Sequence, residues 1–203
     1  MNEQIEAVLE LYHQRIIEER SKPRVEAPGG RDGGQDQRMR AVGPETGRLI
    51  NVIARSLKAP TILEIGTSFG YSGIWLAEAA RASGGRVISM ELHGYKSAYA
   101  KDMAERAGLA DVIDFRIGDA VEMIAALETK VDFILLDLWK DLYIPCLEAF
   151  YRKLNEGAII VADNMLGPDP NVREYGLAVR AKPRISSVLL PIGQGLEVSR
   201  FGA

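Results

Sequence analysis

Two short runs hold the side chains best equipped for chemistry. Leu135-Leu136-Asp137-Leu138-Trp139-Lys140-Asp141-Leu142-Tyr143 closes one apolar stretch, and Ala162-Asp163-Asn164 closes another. If those stretches are adjacent parallel strands, Asp137, Asp163 and Asn164 meet at one sheet edge. Two carboxylates and an amide oxygen form a hard oxygen donor set. It suits Mg²⁺ or another divalent cation and leaves positions for substrate oxygens and water. Neither run contains a histidine or cysteine that would favour zinc. Asp and Asn are also common turn residues after strands, so a structural role stands beside the metal reading. Lys140 has two readings as well, a base or a solvated charge paired with Asp141.

A second set of residues follows earlier apolar runs. Glu64-Ile65-Gly66-Thr67-Ser68-Phe69-Gly70 combines an acid with a glycine turn, in which the backbone can approach a ligand closely. Glu91 ends the next run, where an acid can accept both hydroxyls of a ribose. Gly118-Asp119-Ala120 ends the third and can reach an adenine edge. The dinucleotide fingerprint G-x-G-x-x-G faces a pyrophosphate. Here the spacing is G-x-x-x-G, and Glu64 would repel that anion. An acid at this point suits a ligand carrying an ammonium and a sulfonium, as S-adenosylmethionine (SAM) does.

These residues need elements to hold them. Thr61–Ile65, Arg86–Glu91, Val112–Ile117, Phe133–Leu136 and Ala158–Ala162 are short apolar runs of the kind buried on both faces of a parallel sheet. Helical patterns alternate with them over 44–57, Tyr71–Ala82, Lys96–Ala107, Val121–Leu127 and Tyr143–Lys153. Ile185–Leu190 and Leu196–Phe201 flank a glycine-bearing turn and predict an antiparallel hairpin. The expected fold is a doubly wound, mostly parallel α/β sheet closed by that hairpin. Ligands of such sheets bind beyond the carboxyl ends of the strands, where these polar residues stand.

The chain's 203 residues suit one domain: an N-terminal helix and loop over 1–38 and a core over 39–203. Ile5, Val8, Leu9, Tyr12, Ile16 and Ile17 give the first helix an apolar stripe. The stripe could pack on its own domain or on a second copy, with a homodimer the favoured reading. Residues 22–38, rich in glycine and charge, read as a mobile surface loop. A net charge of −3 gives no nucleic-acid footprint. No apolar run resembles a signal peptide or membrane span, so cytoplasmic residence is the default expectation. The single cysteine, Cys146, permits no internal disulfide and reads as a buried thiol.

EIGTSFGYS, Glu91, LLDLWKDLY, ADN and GLEVSR together resemble the metal-dependent O-methyltransferases, over roughly residues 39–203. The D-x-W-K-D-x-Y run is closest to the catechol O-methyltransferase branch. The resemblance implies a Rossmann-like SAM methyltransferase fold. It implies a metal site of Asp137, Asp163 and Asn164, with Lys140 as catalytic base. Glu64, Gly66, Ser72, Glu91, Asp119, Ala120 and Asp137 would hold SAM. Val42 and Leu92 would pack on it, and Trp139 would wall both cofactor and substrate. Lys140, Asn164 and Glu197 would touch a small aromatic diol, Glu197 at its second hydroxyl. The family often has His or a small residue where Leu138 stands, and Pro at Leu92 or His93. A metal-independent methyltransferase and a non-catalytic SAM-binding protein are the competing readings.

Overall fold

Seven strands form one sheet in the order β3-β2-β1-β4-β5-β7-β6. They are β1 (Thr61–Ile65), β2 (Arg86–Glu91), β3 (Ile113–Ile117), β4 (Val131–Leu136), β5 (Leu154–Ala162), β6 (Ile185–Leu190) and β7 (Leu196–Phe201). The computed structural model describes residues 1–22 and 36–202. The first five strands pair in parallel, whereas β7 is antiparallel to both β5 and β6. The strand order reverses between β1 and β4, which opens a crevice at their carboxyl ends.

Alternation along the strands divides the core into two layers. Ile62, Val87, Phe133 and Leu135 join one cluster with α1 (Glu3–Ser21), α2 (Pro44–Arg55), α3 (Tyr71–Ser83) and α4 (Gly94–Arg106). Leu63, Ile88, Ile134 and Leu136 join the other with α5 (Ala120–Ala125), α6 (Tyr143–Phe150) and α7 (Pro170–Ala181). Successive residues face opposite layers, so both layers select apolar side chains. Cys146 is fully buried, and burial pushes its thiol up to about 12, which makes it inert.

Besides shifts of one or two residues at element ends, the structure differs from the sequence expectations at four places. Helix α7 has no counterpart among them, although Asp169 caps it by accepting from Asn171 N (2.9 Å) and Pro170 opens its first turn. The helix expected over 143–153 ends at Phe150 and continues as a 3₁₀ turn, Tyr151–Lys153. Strand β5 starts at Leu154, four residues early. Ile17 is 67% exposed, outside the buried stripe of α1. Most of the loop expected over 22–38 lies outside the described residues. Among the described residues, no helix is long and apolar enough to cross a membrane.

Helix α1 packs on its own domain and holds the chain beside the crevice. Ile5, Val8, Leu9, Tyr12 and Ile16 are buried. Tyr12 Oη donates to Phe69 O (2.6 Å) in the turn after β1. Glu19 accepts from Met39 N (2.9 and 3.0 Å), and Arg15 Nη2 donates to Gln37 O (2.6 Å). Ser68 Oγ donates to Met39 O (2.8 Å), so the 36–40 segment is clasped between α1 and the β1 turn. Replacing Tyr12 by Phe leaves a buried carbonyl unpaired and is expected to cost about 1–2 kcal/mol in urea unfolding. Tyr12→Ala, which also opens a cavity, is expected to cost about 3–5 kcal/mol. Equal effects of the two variants would contradict this division.

Candidate active site

A cavity of about 610 Å³ opens at the carboxyl ends of β1, β2, β4 and β5. That size is ample for a small-molecule ligand. One end is built by the loops after β1, β2 and β3. Gly66 and Thr67 both donate their N–H to Met90 O (3.0 and 3.1 Å), which fixes the glycine turn against β2. Glu91 Oε2 accepts from Ser68 N (2.8 Å) and Oε1 from His93 N (3.0 Å). Each oxygen keeps lone-pair capacity for a ligand hydroxyl. Asp119 caps α5 through Glu122 N (3.0 Å) and lines the same cavity beside Gly118 and Ala120.

The other end is built by the loops after β4 and β5. Leu136 and Ala162 are register partners, and the ladder continues past them through Asp163 N to Leu136 O (3.1 Å). Asp137 and Asp163 therefore stand side by side. Asn164 Nδ2 donates to Asp137 Oδ1 (2.9 Å) and Asp163 Oδ2 (3.1 Å). Asn164 holds φ at 63°, a left-handed conformation that asparagine tolerates better than most residues. Asp163 Oδ1 is buried with no hydrogen-bond partner among the described residues. Burial, and then the charge of Asp137, push the Asp163 carboxyl above its ordinary range.

A buried, unpartnered carboxylate oxygen beside a second carboxylate fits a cation. A half-turn of the Asn164 amide would put its oxygen where its nitrogen stands and complete three oxygen donors. Among the described residues no cluster of three or more His, Cys, Asp or Glu side chains is suited to a metal. The set here is two carboxylates and an amide.

Lys140 sits 19% exposed against this group. Its Nζ donates to Asp137 Oδ1 (3.1 Å), Leu138 O (3.0 Å) and Tyr143 Oη (2.7 Å), which uses all three ammonium protons. Tyr143 in turn donates to Asp163 O (3.0 Å) and is fully buried against Tyr175. Burial, with the nearby Asp137 and Asp163 charges, keeps the Tyr143 hydroxyl neutral. Sequence reasoning missed Tyr143 as a site residue. Its signal was the three-residue spacing from Lys140, which puts both on one face of a helical turn.

Gly66, Glu91, Leu92, Asp119, Ala120, Asp137, Trp139, Lys140, Asp163 and Asn164 all line the one cavity. Four expected site residues do not. Val42 is packed in the core beside Ala41, which does face the cavity. Glu64 points into the layer between β1 and α3, where the Ser72 and Ser89 hydroxyls donate to its two oxygens. Ser72 is thereby committed behind the cavity wall. Glu197 is buried and accepts from Arg180 Nε and Nη2 (2.8 and 2.7 Å) and from the Ser187 hydroxyl, rather than facing an acceptor.

Full burial raises the Glu64 carboxyl from 4.5 to about 7, against the lowering effect of its two hydroxyl partners. The folded state thus binds the extra proton between those values. Stability from this group is complete below about 4.5 and is lost as pH rises to about 7, on the order of 3 kcal/mol. Unfolding of the ligand-free protein and of Glu64→Gln across this window checks it. The wild type should lose stability relative to the variant as pH rises, and a constant difference would contradict it.

An O-methyltransferase family model matches residues 34–201. A catechol O-methyltransferase from Niastella koreensis is 33% identical over 62% of this chain and 58% of its own length. The mouse catechol O-methyltransferase is 31% identical over 63% of this chain and 50% of its own. The chain thus spans little more than half the length of these curated relatives. Caffeoyl-CoA O-methyltransferase 1 of Eucalyptus globulus is 28% identical over 77% of this chain and 72% of its own. The structure of the O-methyltransferase from Bacillus cereus in complex with SAH superposes with a TM-score of 0.77 at 25% identity, covering 99% of this chain and 91% of that one. A Streptomyces achromogenes O-methyltransferase in complex with SAM shares the fold, with a TM-score of 0.75 at 22% identity over 100% and 91% of the two chains. With the family model spanning the strands, the glycine turn and the polar cluster alike, the chain belongs to the O-methyltransferase family.

Proposed function

We propose that this chain transfers the methyl group of SAM to one hydroxyl of a vicinal dihydroxy aromatic compound, with Mg²⁺ or a similar divalent cation and Lys140 as base. The orphaned Asp163 Oδ1 carries the reading, because it lies beside Asp137, Asn164 and Lys140 in the cavity that Glu91 and Asp119 also line. The relatives named for catechol and caffeoyl-CoA methylation support the acceptor class.

Asp137, Asp163 and Asn164 would hold the cation. When bound, it supplies Lewis-acid polarisation that makes a phenolic proton easier to remove. Glu91 would accept the ribose hydroxyls of SAM, and Asp119 would meet the adenine edge. Leu92 would pack on the cofactor and Trp139 on both ligands. Lys140, in its neutral amine form, would take the acceptor proton. The phenolate oxygen then bonds to the methyl carbon as the carbon–sulfur bond breaks, leaving a methyl ether and S-adenosylhomocysteine. Holding oxygen, carbon and sulfur in line is the main contribution of such a site. Tyr143 keeps the Lys140 amine directed at the acceptor, since its hydroxyl is fixed by Asp163 O and cannot ionise.

Transfer from labelled SAM to catechol and to phenol tests the reading. EDTA-treated protein should methylate neither, and Mg²⁺ should restore transfer to catechol alone. Lys140→Ala should lower kcat about 10²–10⁴-fold with SAM still bound. Tyr143→Phe should lower kcat about tenfold with little change in KM, as expected for one lost hydrogen bond to the ammonium that Lys140 becomes as it takes the proton. Transfer that ignores EDTA would discard the metal, and near-normal turnover of Lys140→Ala would remove Lys140 as base.

A further inference from the structure

The carboxylates and the cations around the cavity are not equally engaged. Glu91 and Asp119 accept backbone N–H groups, and Asp169 accepts Asn171 N and Nδ2 (both 2.9 Å). Asp137 is held by Lys140 and Asn164. Asp36 is spent on Arg40 Nε (2.6 Å) and Arg38 N (3.0 Å). Two cations that line the same cavity are less engaged than its carboxylates. Arg38 and Lys96 line the cavity, yet neither side chain has a hydrogen-bond or ion-pair acceptor among the described residues. Lys96 is only 7% exposed; its Nζ lies 5.7 Å from the centre of the Phe69 ring, and its charge reaches the Asp36 carboxyl without a hydrogen bond. A cation in such a place costs free energy until an anion joins it.

Arg40 sets the direction of that anion. Its φ of 48° is left-handed, a strained conformation for arginine. The strain is held by the neighbouring bonds of Met39 to Glu19 and Ser68. The result lays the Arg40 guanidinium over the Trp139 ring, 5.6 Å from its centre and one residue from Lys140. Only its Nε is used by Asp36. The rest of its fork has no hydrogen-bond acceptor among the described residues, and Arg40 lines the cavity together with Trp139 and Lys140.

We propose that the acceptor carries a carboxylate on its ring or on a short side chain, recognised by Arg38 and Arg40 at the rim. This rests on the methyltransferase reading above and narrows it from neutral diols to dihydroxy aromatic acids. Arginine suits the task, because its planar fork meets a carboxylate through two parallel hydrogen bonds. Lys96 adds positive potential along the same wall.

The experiment compares kcat/KM for 3,4-dihydroxybenzoate with that for its methyl ester, which keeps the ring and diol and removes only the charge. The acid should be favoured about 10–100-fold, the worth of one or two charge-assisted hydrogen bonds. Arg38→Gln and Arg40→Gln should each pull the acid-to-ester ratio towards one. Calorimetry should show the same loss for 3,4-dihydroxybenzoate binding to the SAH-saturated variants. SAM affinity is measured in parallel, because the donor has a carboxylate of its own. A wild type that treats acid and ester alike overturns the inference and leaves the methyltransferase reading intact. So does a variant that loses SAM affinity while keeping its acid preference. If neither compound nor catechol is methylated, both readings fall together.

Discussion

The hydrogen-bond register of three neighbouring strands is the constraint on which the site depends. Asp137 N donates to Ile65 O (2.9 Å) and Asp163 N to Leu136 O (3.1 Å), so the β1–β4–β5 ladder runs one residue past each strand. The two aspartates are brought level by main-chain geometry before any side chain acts. A slip of one residue in β5 would turn Asp163 to the opposite face and bring Ala162 or Asn164 into its place. The glycine turn is bound into the same arrangement. Gly66 has φ of 105°, and a Cβ there would stand 2.1 Å from Asp137 O. Only glycine lets the β1 turn and the β4 loop approach closely enough to share one cavity.

With register fixed, electrostatics decides what the site can hold. Two adjacent carboxylates out of water repel each other, and leaving either without a partner is costly. Lys140 and the Asn164 amide relieve Asp137 and one Asp163 oxygen, but not Asp163 Oδ1. A further positive charge is the natural complement. Elsewhere on the cavity wall, the Arg38 and Lys96 side chains have no hydrogen-bond acceptor among the described residues. The Arg15–Glu19 pair of α1 clasps the 36–40 segment over the crevice. The first helix, remote in sequence, thereby shapes the entrance.

Much of this was legible in the sequence, because alternation and turn chemistry are local signals. Short β-branched runs placed the five parallel strands. The polar residues directly after them lie on one cavity, as expected for the carboxyl edge of a doubly wound sheet. Helix α7 was legible but unread, since Asp169-Pro170 is a cap-and-proline start and Val172, Tyr175 and Val179 keep helical spacing. Side-chain direction was not legible. Glu64 sits one residue before a turn and looks like a ligand contact, yet strand alternation turns it into the α3 layer. Glu197 depends on Arg180, 17 residues away on a helix absent from the sequence reading. The Lys140–Tyr143–Asp163 chain joins two strand ends that only the sheet order brings together.

The most direct test of the central claim is metal binding itself, without turnover. Titration of the purified protein with Mn²⁺, followed through the resonance of the free ion, counts sites and gives affinity. The expected result is one site per chain that Mg²⁺ displaces and that Asp163→Ala abolishes while the variant remains folded. A wild type that binds no Mn²⁺, or a site that Asp163→Ala leaves unchanged, would contradict a cation held between Asp137, Asp163 and Asn164.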